Sequence, residues 1–188
     1  MTTHDDPGRV FRKLAQNNAL ANLRLDLALS ALLPGEFEAP RKSFFPSIKA
    51  TLNHLLTVDW FYVDALEGGT LGPGAWAIEL PCATPAALCE AQRAVDRRLL
   101  LLTDALTIEK LGSPVAIHRR DRIQHERMDD VFSHLFQHQT HHRGQVHAMM
   151  SDTSVQPPQL DEFIVADDAA VRRHEMAVLG WSETDLMS

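Results

Sequence analysis

Four long segments of this chain carry apolar residues three and four positions apart, and this spacing constrains the fold more than any other feature. Residues at that spacing lie on one face of an α-helix, so each segment predicts a helix with an apolar stripe. Almost nothing alternates with the period of a half-buried strand. We therefore expect an all-α four-helix bundle, with helices over residues 10–33, 47–67, 84–111 and 128–152.

The segments between these helices are short of regular pattern. Residues 113–127 are polar, and they are compatible with either a short hairpin or an irregular crossover. Residues 167–180 are compatible with a short peripheral helix. Because 188 residues with 45% hydrophobic content can bury one core, we expect a single domain over 1–188, with its bundle at 10–165 and a C-terminal extension at 166–188.

Charge and composition exclude several classes of protein. The net charge of −7 provides no basic field for nucleic acid. The N-terminal residues have no apolar signal core and no apolar run is long enough to span a membrane, so we expect a soluble cytoplasmic protein without nucleic-acid or membrane partners. Cys82 and Cys89 fit neither a disulfide framework nor a zinc-finger spacing, and we interpret them as buried apolar residues.

The predicted fourth helix is rich in histidine, with five histidines between positions 134 and 147. Because successive helical residues are rotated by about 100°, His138 and His142 fall at the edge of the apolar face, one turn apart. His134 and His141 fall about 40° to 100° further round, toward solvent or a neighbouring helix. An i, i+4 pair of imidazoles can converge on one divalent metal ion.

A metal site needs at least one further ligand, and His54 in the second helix is the best candidate. It shares an inward face with Val58, Phe61 and Ala65. Asp59 is about 140° away from His54 on the helix, so we expect a structural or an interface role for it rather than metal binding. Asp59 lies on a second apolar face, which makes the helix hydrophobic nearly all round and favours burial of one side against a second subunit. The apolar residues of this second face are Ile48, Leu52, Leu55, Tyr62 and Leu66.

Less specific interpretations of the histidines stay open at this point. An inward histidine is more often a core residue with one hydrogen bond than a ligand, and histidines also serve as pH switches. For the remaining histidines of this region and its surroundings we expect a solvated or hydrogen-bonding role; these are His118, His125, His134, His141 and His147.

Several strings in this sequence, in this order, resemble one family. They are LAQNNALANLRL in the first helix, NHLLTVDWFYVDAL in the second, HLFQHQTHHRGQVHAMM in the fourth, and PPQLDEFI after it. Together they are similar to the DinB-like family of four-helix proteins, which includes bacillithiol transferase-like and maleylpyruvate isomerase-like branches. The resemblance covers residues 10–165, and its most specific part is the HxxxHHRGQ string.

The resemblance implies an antiparallel bundle with an unusual long crossover, a homodimer, and a divalent metal such as nickel or zinc held by three histidines. At the matching positions these histidines are His54, His138 and His142. They are the same three residues that helical rotation places on inward faces.

The resemblance and the chemistry leave the reaction open. Branches of the family imply activation of a small thiol for transfer, whereas a three-histidine site with an open position could equally activate water for hydrolysis. The sequence HQTHH lacks the glutamate of an HExxH peptidase. The alternatives are a metal-binding stress-response homodimer without turnover, and histidines that only form hydrogen bonds.

Three residues after the histidine pair have predicted supporting roles. We expect Arg143 to pair with Asp161 and hold the C-terminal segment over the helix. Gly144 predicts a close approach of another backbone, because an exposed mid-helix glycine otherwise costs about 1 kcal/mol. Gln145 is expected to support His142 from behind.

Overall fold

The computed structural model describes residues 6–161 and 164–188, and its framework is four long helices. These helices are α1 (Arg9–Ser30), α2 (Ile48–Leu66), α3 (Pro85–Asp104) and α5 (Met128–Met150). The shorter elements are α4 (Ile108–Leu111), β1 (Pro114–His118), β2 (Ile123–Arg127), α6 (Arg173–Leu179) and α7 (Glu183–Met187). The predicted four-helix bundle is therefore confirmed.

The third predicted segment is two helices rather than one. The helix α3 ends at Asp104, and α4 begins after Thr107, whose side chain accepts a hydrogen bond from the backbone N–H of Lys110 at 3.3 Å. A hydroxyl in this position caps the start of a new helix, so the chain restarts instead of continuing. The first helix likewise ends at Ser30, three residues before its predicted end.

Side-chain contacts fix the directions of the helices. In α2 and α5, His54 lies beside His138 and Tyr62 beside His134, so these two helices run antiparallel. The helices α1 and α3 are also antiparallel, because Asp26 contacts Arg93 near the start of α3 while Gly8 lies beside Leu106, just beyond its end.

The helices α2 and α3 instead run in the same direction, and this requires a long crossover between them. Asp59 bonds with Gln92 and Glu67 with Arg98, so residue numbers rise together along the pair. Residues 67–84 must therefore return along the bundle. The side chain of Asn53 holds both the N–H and the C=O of Cys82 at the end of that path, at 2.8 and 3.0 Å.

The polar segment before α5 is a hairpin, which decides between the two alternatives left open by the sequence. The strands β1 and β2 pair antiparallel, with His118 opposite Ile123 at the turn. Val115 and Ile117 point inward and are buried. The hairpin thus covers one end of the groove between α2 and α5.

The second apolar face of α2 is buried within the chain itself. Ile48, Leu52, Leu55 and Leu66 are at most 6% exposed, because α3 and α5 flank the helix on both sides. The inference that this face needs a partner subunit is therefore wrong. The homodimer stays a prediction, without this support.

The C-terminal extension packs on α1. The short helix α6 confirms the predicted peripheral helix, and its Met176 joins Leu20, Ala21 and Leu186 in a small apolar cluster. Among the described residues, no helix combines the length and apolar character needed to cross a membrane.

Candidate metal centre

The antiparallel pairing of α2 and α5 brings three histidine rings together. The Nε2 atoms of His54 and His138 are 3.2 Å apart, and the His142 ring centroid lies 4.3 Å from that of His138 and 4.7 Å from that of His54. One nitrogen from each ring lies within 4.8 Å of the others. The structure thus assembles the three residues that the sequence singled out.

The spacing of these nitrogens fits a shared metal ion. Two ligands bound about 2.0–2.1 Å from a tetrahedral ion are about 3.3–3.4 Å apart, close to the distance between His54 and His138. Within the described part of the chain, the group contains three histidines and no carboxylate. Three imidazoles leave a fourth tetrahedral position for water or substrate.

Burial keeps these imidazoles in the form that binds metal. Desolvation lowers the pKa of His54 to about 4 and that of His138 to about 3, with a further contribution from the neighbouring histidines. The pKa of His142 is lowered for the same first reason. All three rings are therefore neutral at pH 7, as metal coordination requires.

Gln145 orients His142, as the sequence predicted. Its Oε1 accepts a hydrogen bond from Nδ1 of His142 at 2.8 Å, and its Nε2 lies 3.0 Å from Nε2 of His141. A proton fixed on Nδ1 leaves Nε2 of His142 with a free lone pair for a metal. His141 is exposed and contacts Gln145, but it lies outside the group of three.

Phe45 forms one wall of the site, and sequence reasoning did not identify it. Its ring stacks on His54 with a centroid distance of 4.4 Å and lies 5.6 Å from His142. Phe45 belongs to the loop before α2, and only the path of that loop places it over the histidines. Two adjacent phenylalanines just ahead of a helix cap were the sole signal in the sequence.

The other histidines lie outside the group. His134 is exposed and contacts the ring of Tyr62 at 5.0 Å, one turn before His138. His147 lies one turn beyond the pair, and His118 and His125 belong to the hairpin. For His134, exclusion from the three-histidine group agrees with the predicted rotation along the helix.

Asp59 has the structural role that was predicted for it. Its carboxylate is 1% exposed and accepts a hydrogen bond from Nε2 of Gln92 at 2.8 Å. The same Nε2 lies 3.1 Å from Oδ1 of Asp96, which also accepts hydrogen bonds from Asn18 and Asn22. Burial raises the pKa of Asp59 to about 7 and that of Asp96 to about 6.

Arg143 belongs to this buried network, and its predicted pairing with Asp161 is wrong. Its Nη1 donates to the side-chain oxygens of Asn18 and Asn22, and the residue is 6% exposed. Burial lowers the pKa of Arg143, and the nearby charges of Asp96 and Asp59 offset part of this effect. Arg143 points inward because position 143 lies on the face that meets α1, which rotation within one helix could not reveal.

Gly144 is also placed differently from the prediction. A Cβ built at this glycine meets no atom within 4 Å, and the residue is exposed. No other backbone in the described structure therefore approaches it closely enough to require a glycine.

The bundle with its three-histidine group defines a class of helical proteins with a candidate metal centre between two antiparallel helices. The sequence profile of the DinB family matches residues 1–175, and the chain belongs to this family.

Individual relatives agree with this assignment. The chain is 28% identical over 145 residues to the protein DinB of Bacillus subtilis (strain 168), covering 73% of this chain and 83% of that protein. Among solved structures, the chain is similar to YfiT from Bacillus subtilis, which is described as a probable metal-dependent hydrolase with an unusual four-helix bundle topology. The TM-score is 0.59 at 13% identity, and the match covers 80% of this chain and 91% of YfiT.

A second structure is similar to the same extent. A DinB-like protein from Bacillus cereus ATCC 10987 has a TM-score of 0.57 at 14% identity, and the match covers 74% of this chain and 89% of that protein. At these identities the two structures bear on the fold alone, and they support the four-helix bundle.

Proposed function

We propose that this protein is a metal-dependent enzyme that holds one divalent ion through His54, His138 and His142. The convergence of the three neutral imidazole rings carries this proposal. When bound, the ion would supply Lewis-acid activation of a water or thiol at its open position. Nickel and zinc are the ions we propose, because three imidazole nitrogens suit both.

The chain's own residues prepare this position. Gln145 holds the tautomer of His142, and the low pKa values of His54 and His138 keep protons off the ligand atoms at neutral pH. Phe45 places an apolar ring against two of the histidines and excludes water from that side. Charge at the site is therefore less screened than it would be in water.

Hydrolysis is the first reaction that we propose. YfiT, which shares the fold, is described as a probable metal-dependent hydrolase, and this description supports the choice. Three uncharged ligands leave the charge of an ion available to acidify water.

Transfer of a small thiol to an electrophile is the second candidate. Among the described residues, the group of potential ligands contains no carboxylate. The residues that would hold the ion therefore include no carboxylate that could act as a general base. A thiol, whose pKa is about 8.5, needs less help in losing its proton than water does.

We also propose that the protein acts as a homodimer in the cytoplasm. Large apolar side chains stay exposed in a single chain, including Phe44 at 85% and Ile78 at 66%. Both cysteines are free, which suits a reducing compartment. Light scattering after size exclusion would test the dimer, and a mass equal to one chain would refute it.

Metal analysis of protein made without a histidine tag tests the central proposal. We expect close to one nickel or zinc ion per chain after reloading, and severe loss in His54→Ala, His138→Ala and His142→Ala. His147→Ala is the matched control, because it removes an imidazole of the same helix that lies outside the group. Equal metal content in His147→Ala and His142→Ala would refute the site.

A second experiment separates turnover from binding alone. The loaded and metal-free proteins are assayed against esters and amides, and against small thiols paired with electrophiles. Metal-dependent turnover that is lost in His138→Ala supports an enzyme. Metal binding without turnover across the panel supports the alternative of a non-catalytic metal-binding protein of the stress response.

A further inference from the structure

A cavity lies near the three histidines, in the groove between α2 and α5. Its volume is about 240 Å³. The hairpin closes it on one side, and the polar residues around it come from three elements: Tyr62, Arg119, Gln124, Glu126, Asp130 and His134. Ile117 and Val131 contribute apolar surface.

The strand period explains why the hairpin lines this cavity. Val115 and Ile117 point into the protein, so Arg119, two residues further on, continues the same face. Gln124 lies opposite Ile117 in the register, and Glu126 lies opposite Val115, so both belong to that face. The polar segment that separates α4 from α5 is therefore a wall with three polar side chains aimed at one space.

Arg119 is held in place by two neighbouring side chains, and its Nη atoms remain available to a ligand. Its guanidinium lies 5.1 Å from the ring centroid of Phe61, and its Nε donates to Oε1 of Gln124 at 3.3 Å. Among the described residues, no side chain accepts a hydrogen bond from its Nη atoms and no salt bridge includes it. Its position is fixed while two of its donor atoms stay available.

The opposite charge comes from Glu126 and Asp130. Glu126 accepts a hydrogen bond from Nε2 of Gln124, and the carboxylate of Asp130 accepts none from the described residues. The cavity thus combines a positive group with two negative ones. A ligand with a single charge would satisfy one side and leave the other unpaired, whereas a zwitterion satisfies both.

The cavity and the histidine group lie along the same face of α5. Asp130, His134, His138 and His142 follow one another at intervals of four residues along α5. The ring centroids of His134 and His138 are 6.2 Å apart. With a rise of about 1.5 Å per residue, Asp130 lies about 12 Å along α5 from His138 and about 18 Å from His142.

We propose that this hairpin cavity binds an α-amino-acid head group, with Arg119 receiving the carboxylate and Glu126 and Asp130 receiving the ammonium. As a statement about substrate, this rests on the proposed enzymatic function: the reacting group would lie about 12 Å along α5 from Asp130, at His138, a distance of about three to four extended residues. As a statement about binding, it depends only on the cavity.

Three probes with the same six-carbon chain test the contribution of each charge to binding. They are norleucine, which carries both charges, hexanoate, which carries only the carboxylate, and hexylamine, which carries only the ammonium. Binding to the metal-free protein is measured by calorimetry or by NMR titration. We expect norleucine to bind at least tenfold more tightly than either singly charged probe. Equal affinity for hexanoate or hexylamine would overturn the proposal, because one charged group would then account for binding.

Variants locate the binding. Arg119→Gln and Asp130→Asn should each weaken norleucine at least tenfold, and Asp130 is exposed, so that variant should leave folding intact. Arg120→Gln is the matched control, since Arg120 is exposed in the adjacent turn. Unchanged affinity in both Arg119→Gln and Asp130→Asn would overturn the proposal.

One further variant separates this proposal from the metal site. His138→Ala should abolish metal binding and leave the affinity for norleucine within about twofold. Absence of metal binding by the wild type would refute the proposed function without affecting the norleucine result. Absence of norleucine binding by the wild type would refute the proposal for the hairpin cavity without affecting the metal site.

Discussion

The side-chain oxygen of Gln145 lies 2.8 Å from Nδ1 of His142. This contact fixes the tautomer and orientation of the His142 ring. Loss of a hydrogen bond that supports a metal ligand in this way commonly lowers metal affinity by about 10–100-fold. We expect Gln145→Leu to lower the affinity for zinc by that factor.

Chelator competition measures this change, with Gln137→Leu as the control. Gln137 lies on the exposed face of the same helix. Equal affinities in the two variants would show that Gln145 does not support the site.

Arg143 neutralises charge in the buried network of Asp59 and Asp96. Removing a buried cation while its carboxylates stay typically costs about 3–5 kcal/mol. We expect Arg143→Met to lose that much free energy of unfolding in urea denaturation, and the double variant Arg143→Met with Asp96→Asn to recover part of it.

The same experiment tests the corrected partner of Arg143. Asp161→Ala should change the free energy of unfolding by less than about 0.5 kcal/mol, because Asp161 is exposed and outside the network. A loss in Asp161→Ala as large as in Arg143→Met would restore the pairing predicted from the sequence.

Asp59 should make stability depend on pH. Its ordinary pKa is 3.8, and burial raises it to about 7 in the folded protein. Between these values the folded state keeps the proton that the unfolded state releases, so the free energy of unfolding falls as pH rises. Above about pH 7 both states are ionised, and this contribution becomes constant.

We expect Asp59→Asn to gain stability relative to the wild type as pH rises from 4 to about 7. Urea denaturation of the metal-free proteins at four pH values measures this, with Asp104→Asn as an exposed control on α3. A constant difference between Asp59→Asn and the wild type across that range would contradict the raised pKa.

Gly144 offers a stabilising substitution. Since a Cβ meets nothing within 4 Å, Gly144→Ala should gain about 0.5–1 kcal/mol from helix propensity. Ala148→Gly, at an exposed position one turn later on α5, should lose a similar amount. Destabilisation by Gly144→Ala would indicate a partner that approaches this glycine.

Features that depend on one helix at a time could be predicted from the sequence. Four apolar stripes gave four helices, and Ser47 and Thr84 form the caps that begin two of them. The interval of four residues placed His138 and His142 together, because the rise and rotation of a helix are fixed by its backbone. The relation of Gln145 to His142 follows from the same geometry.

The way these helices meet depends on tertiary packing. His54 reaches the pair because α2 packs antiparallel to α5, and Phe45 reaches it because a loop crosses that end of the groove. Arg143 turns to Asn18 and Asn22 rather than to Asp161 because burial requires its donors to be satisfied inside. Such contacts depend on packing between distant segments, which spacing along one segment does not specify.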